Sequence, residues 1–198
     1  MDLIHTPLPR ETRVESFKGD VSDADRAKLD AMKSAWENIG AQPAPEGTRQ
    51  AVGILALQPG ERRWVDPIPG PGVIETLRVT PRFDKLPSAV TRESVLRDVV
   101  LRIRWNKSDA DSVAVPLGDF FGSVWRRARY QSLFFGLSGN TFVSRFPMPF
   151  RDEAEITIEN EGIVPVEIEV EASWRPLKAW DDNLGYFHAT WSGSTPED

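Results

Sequence analysis

Alternation of apolar and polar residues dominates the chain from Thr48 onward. In Val99-Val-Leu-Arg-Ile-Arg-Trp105, Val99, Leu101, Ile103 and Trp105 share one face while Arg102 and Arg104 take the other. Ala154-Glu-Ile-Thr-Ile-Glu-Asn160 sets Ile156 and Ile158 between polar neighbours, and Val164, Val166, Ile168 and Val170 alternate with Glu167, Glu169 and Glu171. A period of two marks strands with one face buried and one wet. Strands are expected at 49–57, 73–80, 97–106, 112–116, 141–146, 154–160, 163–174 and 185–191, between Gly- and Pro-bearing punctuation. Short strands with long, Pro-rich connections predict an all-β fold, a single jelly-roll β-sandwich over residues 48–198.

One segment breaks this rhythm. Ser22-Asp23-Ala24-Asp25 supplies an N-cap serine with an acid three residues on, and Leu29, Met32, Ala35, Trp36 and Ile39 recur at helical spacing. Gly40 and Pro43 end the pattern. Residues 1–47 therefore form an N-terminal arm with one helix, its apolar stripe laid on the body of the domain or on a neighbouring subunit. Trp36 is a candidate interface residue on that ground.

Composition narrows the function. A chain of 198 residues is long enough for one domain with a substantial core. Lys plus Arg number 24 against 30 Asp plus Glu, a net charge of −6, which suits neither nucleic acid nor an anionic membrane. Cysteine is absent, which excludes disulfides, thiolate catalysis and cysteine-ligated metal. With only His5 and His188 besides, a zinc site is not expected. No P-loop, Gly-x-Gly-x-x-Gly or Gly-x-Ser-x-Gly motif occurs, so no cofactor is expected. Met1-Asp-Leu-Ile-His-Thr-Pro-Leu-Pro9 lacks the basic and apolar regions of a secretion signal, and the expected compartment is the cytoplasm.

Candidate chemistry is sparse. Asp119 lies in Gly118-Asp-Phe-Phe-Gly122, where flanking glycines permit close approach of a ligand; it reads either as the cap of a short turn plugged by two phenylalanines or as a carboxylate facing a sugar. Trp125, Arg126, Arg127 and Arg129 gather aromatic and guanidinium groups, the residue types that anchor protein interfaces and also stack on ligands. Trp125, Tyr130, Gln131 and His188 join Asp119 as candidate carbohydrate contacts. Asp152-Glu153 beside Arg151 reads as a surface ion pair, Asp181-Asp-Asn183 as an Asx turn, and Glu167, Glu169 and Glu171 as the solvated face of a strand.

Seven blocks carry a resemblance in order: Gly70-Pro-Gly-Val-Ile74, Leu101-Arg-Ile-Arg-Trp105, Val115-Pro-Leu-Gly-Asp-Phe-Phe-Gly122, Tyr130-Gln-Ser-Leu133, Phe146-Pro-Met-Pro-Phe-Arg151, Ala154–Asn160 and Gly185-Tyr-Phe-His-Ala-Thr-Trp191. Over roughly residues 52–192 the chain resembles glycoside hydrolase family 172, also called domain of unknown function 2961. The resemblance implies the first of two consecutive jelly rolls, assembly as trimers or hexamers, and chemistry on furanosides of fructose or arabinose. It also implies that the two catalytic glutamates belong to second-roll segments, neither of which occurs in this sequence. The expectation is a self-assembling, non-catalytic jelly-roll protein with carbohydrate as its candidate ligand. The alternatives are a furanoside hydrolase whose site lies between subunits and uses Asp119, and a capsid-like structural protein.

Overall fold

The inward residues of the alternating segments build two sheets packed face to face. The structure, a computed structural model, describes residues 9, 11–13, 19–38, 46–83, 86–123 and 130–192. Its strands are β1 (Arg49–Leu57), β2 (Arg62–Trp64), β3 (Ile68–Pro69), β4 (Gly72–Arg82), β5 (Val99–Trp105), β6 (Val113–Pro116), β7 (Phe135–Ser138), β8 (Thr141–Ser144), β9 (Met148–Phe150), β10 (Glu153–Asn160), β11 (Val166–Pro176) and β12 (Ala189–Thr190). Its helices are α1 (Asp23–Glu37), α2 (Arg92–Asp98) and α3 (Leu117–Phe120). The first sheet runs β1-β11-β4-β8-β7 with β9 also on β4, and the second runs β12-β6-β5-β10-β2 with β3 also on β10.

The antiparallel pairs are nested. β5 with β6 is innermost, then β4 with β8 and β9, then β10 with β2 and β3, and β1 with β11 is outermost. Such wrapping across two sheets is a jelly roll, as the period-two pattern predicts. The extra short strands are pieces of single positions in the roll. Pro67 and Pro147 interrupt what would be continuous strands, because proline cannot donate to the ladder.

Two expected strands differ. The segment expected from residue 97 begins with the end of α2, which Thr91 caps by accepting a bond from Ser94 N at 3.0 Å. Within 185–191 only Ala189–Thr190 is strand, paired parallel to β6; upstream, Phe187 O accepts the Trp105 indole N–H at 2.8 Å instead of joining a ladder.

The inner faces form one core, with Leu101, Ile103, Phe142, Ile158 and Val170 fully buried. Its aromatic end is close-packed: Phe121 stacks on Phe142 at 5.3 Å and meets Phe120 edge-on at 4.9 Å. Buried Asn160 ties three segments together. Its Nδ2 donates to Leu57 O and Val164 O, its Oδ1 accepts from Gly162 N, and its backbone bonds Gly60 and Glu61.

The N-terminal helix forms where expected, with Ser22 Oγ accepting from Asp25 N at 3.2 Å. Its packing differs from the expectation of a stripe laid on the body. No residue of α1 is buried, and Leu29, Met32 and Trp36 stay about half exposed. Among the described residues one hydrogen bond reaches the domain, from Trp36 Nε1 to Gln131 O at 2.7 Å. Ile39, Gly40 and Pro43 lie outside the described residues.

Gly72 shows how tightly the core closes. A Cβ there would fall 2.7 Å from Phe150 Cζ and 3.2 Å from Trp174 Cε3. Gly72→Ala is expected to destabilise the fold by about 1–3 kcal/mol through overpacking. Urea unfolding measures it, and an unchanged midpoint would mean that both rings can step aside.

Candidate functional site

The residues singled out from sequence fall in two regions. Asp119 lies in α3, which follows β6 directly and buries Leu117 and Phe120 with Phe121 just beyond. The helix is too short for a stabilising ladder, so these apolar plugs hold it. Asp119 does not cap it: the N-cap is Pro116, with no side-chain bond. Its Oδ2 is buried without a hydrogen-bond partner among the described residues. The Tyr130 hydroxyl is buried and equally unpartnered there, and burial pushes the phenol up to about 12. It approaches the same turn, 3.9 Å from where a Gly122 Cβ would stand. Gln131 follows, its carbonyl receiving Trp36. Thus Tyr130 approaches the turn that follows Asp119, and the adjacent Gln131 receives Trp36. Trp125, Arg126, Arg127 and Arg129 lie outside the described residues. His188 is exposed in the segment before β12.

The outer faces carry cross-strand ion pairs. On the first sheet, register sets Glu167 opposite Arg82 and Glu171 opposite Arg78. Arg82 contacts Glu167 at 3.1 Å and Glu169 at 3.3 Å, and Arg78 approaches Glu171 at 3.6 Å. The glutamate ladder expected to be merely solvated is therefore matched by arginines of β4. The expected Asp152–Glu153 pair with Arg151 resolves differently, since Glu153 approaches Lys107 at 3.9 Å, while Asn106 Oδ1 accepts from the backbone N–H groups of Arg151 and Asp152. Asp181 does form the Asx turn, accepting from Asn183 N at 2.9 Å.

On the second sheet, Arg102 is the hub. It donates from Nε to Glu159 at 2.5 Å, from Nη1 to Asp111 at 2.9 Å and from Nη2 to Glu161 at 3.2 Å. Burial opposes its charge, but the bonds to Asp111 and Glu159 prevail and raise its pKa. Burial likewise opposes the Glu159 carboxylate, yet Arg102 and Arg62 hold it below its ordinary range.

Beside this hub opens a groove of about 530 Å³, lined by Val100, Ala114 and Pro116 together with Arg97, Asp98, Arg102, Glu161 and Trp191. Val100 and Arg102 share the outward parity of β5, and Ala114 and Pro116 are their partners on β6. Small side chains on β6 leave the space, and Trp191, held by its backbone N–H donating to Ala114 O at 3.2 Å, keeps 48 % of its surface exposed at the wall. A flat apolar ring beside carboxylates and guanidinium groups suits a ligand with an apolar face and a rim of hydroxyls. Sequence reading placed Trp191 only at the end of an expected strand; no spacing rule links it to Arg97 or Glu161.

Among the described residues no cluster of three or more His, Asp or Glu is arranged to hold a metal ion, and no helix is long and apolar enough to cross a membrane. The family model described as GH172 domain-like matches residues 48–172. No curated protein matches the chain.

The Arg102 hub has a measurable pH signature. With its pKa lowered from 4.5 by folding, Glu159 adds stability above that value and loses it as pH falls through the folded pKa. Arg102→Ala should cost about 1.5–3 kcal/mol at pH 7. The gap from wild type should shrink at a pH below the lowered folded pKa of Glu159, where protonation breaks the pair. Urea midpoints at both pH values test this, and an equal gap at each would remove Glu159 as the cause.

Proposed function

This chain is a member of the GH172 domain-like family, and from that premise we propose that it works as a self-assembling jelly-roll module that holds carbohydrate without turning it over. The observation that carries assembly is the α1 stripe. An isolated helix of 15 residues is marginal in water, and tertiary cover of its apolar face is the usual source of its stability. Here Leu29, Met32 and Trp36 remain half exposed, and the turn receiving Trp36 also exposes Phe134 at 44 %. A second copy supplies the cover. Trimers or hexamers are the expected states.

The Trp191 groove supports the carbohydrate half of the reading. Its polar rim and single exposed indole match the furanosides that the family resemblance implies, and its width leaves the ring accessible from solvent.

Light scattering at micromolar concentration is expected to give a trimer or hexamer. Paired Leu29→Asp and Met32→Asp substitutions are expected to weaken it at least ten-fold, about 1.4 kcal/mol or more. A stable wild-type monomer would refute assembly. Arabinofuranosides and fructofuranosides are expected to shift tryptophan fluorescence in the wild type and not in Trp191→Ala. Turnover of aryl furanosides that Asp119→Asn abolishes would replace this reading with that of a hydrolase.

A further inference from the structure

Strand β1 lies at the end of its sheet, paired to β11 along its whole length, Arg49 against Trp174 through Leu57 against Val166. Its opposite side has no strand partner among the described residues. The strand is nine residues long, contains no proline, and carries one charge, Arg49, at its end. Its outward positions are Gln50, Val52, Ile54 and Ala56, all exposed, with Val52 at 55 % and Ile54 at 62 %. Folded proteins normally blunt such an edge with charge, proline, a bulge or a covering element. None of the first three is present within β1 beyond the terminal arginine.

The sequence Arg-Gln-Ala-Val-Gly-Ile-Leu-Ala-Leu is suited to pair with itself. Antiparallel pairing of two copies about Gly53 sets Val52 opposite Ile54, Ala51 opposite Leu55, Gln50 opposite Ala56 and Arg49 opposite Leu57. Parity is kept, so outward residues meet outward residues and the inner faces stay inward. No charge meets a like charge. On the outer face four aliphatic side chains would come together, flanked on each side by the glutamates of β11, since Val52 neighbours Glu171 and Ile54 neighbours Glu169. The neutral aliphatic strand is therefore complementary to a second β1, whereas an acidic partner strand would lie beside the glutamates of β11.

We infer that β1 is a two-fold contact, where two copies of this chain join their first sheets edge to edge into one continuous sheet. This rests on the assembly reading above and names one of its surfaces. A two-fold contact closes on itself, so it doubles whatever ring the remaining surfaces form. It is separate from the α1 stripe, because Trp36 bonds Gln131, close to β7 at the other edge of the same sheet.

The absence of cysteine makes the test direct, since an introduced thiol is unique. Directly paired antiparallel residues lie about 4.5–5.5 Å apart at Cα, within reach of a disulfide. The full-length chain is prepared as Val52→Cys and, separately, as Ile54→Cys, both at exposed positions that leave the core intact. Oxidation of the equimolar mixture is expected to give a covalent dimer in high yield, and either variant alone far less. Ile54→Lys, checked for native circular dichroism, is expected to halve the mass measured by light scattering. If the wild type is a trimer, or if it assembles but the mixture does not cross-link and Ile54→Lys keeps its mass, the β1 contact is wrong and assembly stands. A monomeric wild type removes both.

Discussion

The parity of β11 against β4 is the constraint on which the roll depends. β11 is flanked on both sides, by β1 and β4, so its register places the whole first sheet. In the observed pairing Val166, Ile168, Val170 and Ala172 face the core, while Glu167, Glu169 and Glu171 face out toward Arg78 and Arg82. A slip of one residue would drive three carboxylates inward and four apolar side chains outward, a penalty no local interaction could offset. The shift between Ser173 and Trp174 is the one irregularity, and it comes after the glutamates end. The extra residue is Glu75 of β4, which moves the inward positions of that strand from Leu77 and Val79 to Ile74, while Trp174 keeps the inward parity of β11 and closes the core beside Phe150.

Much of this was legible because strong alternation has one physical meaning. β1 spans the expected residues 49–57, and β10 and β11 lie where isoleucine and valine alternate with acids. Legibility fell where local and tertiary demands part. β2, Arg62–Trp64, is fully exposed and shows no pattern; only pairing to β10 makes it a strand. β9, Met148–Phe150, is three residues long with a central proline, and neighbouring β4 decides its state. Conversely Tyr186 and Phe187 look like strand residues but pack against Trp180, Phe120 and Phe146 from an irregular segment.

The candidate site was less legible, for a related reason. Trp191, Glu161 and the Arg97–Val100 segment come from three separate stretches, and only sheet closure sets them around one groove. Asp119, Tyr130 and Gln131 were found because glycine-flanked acids and aromatic-basic runs are locally unusual. The turn plugged by two phenylalanines was legible around Asp119; what the sequence could not convey is that Pro116 stands at the N-cap and that Asp119 Oδ2 is buried without a hydrogen-bond partner among the described residues. The α1 stripe reads correctly as apolar and helical, but periodicity cannot say which surface covers it.

Asn160 joins the two sheets by more than apolar contact. Its amide reaches Leu57 at the end of β1 in one sheet while it belongs to β10 in the other. Opening either sheet at this end must strand a buried amide, so neither sheet can fray alone. Backbone hydrogens at the ends of β1 and β10 should therefore exchange with solvent only as fast as the whole domain opens, and the two layers should behave as a single foldon.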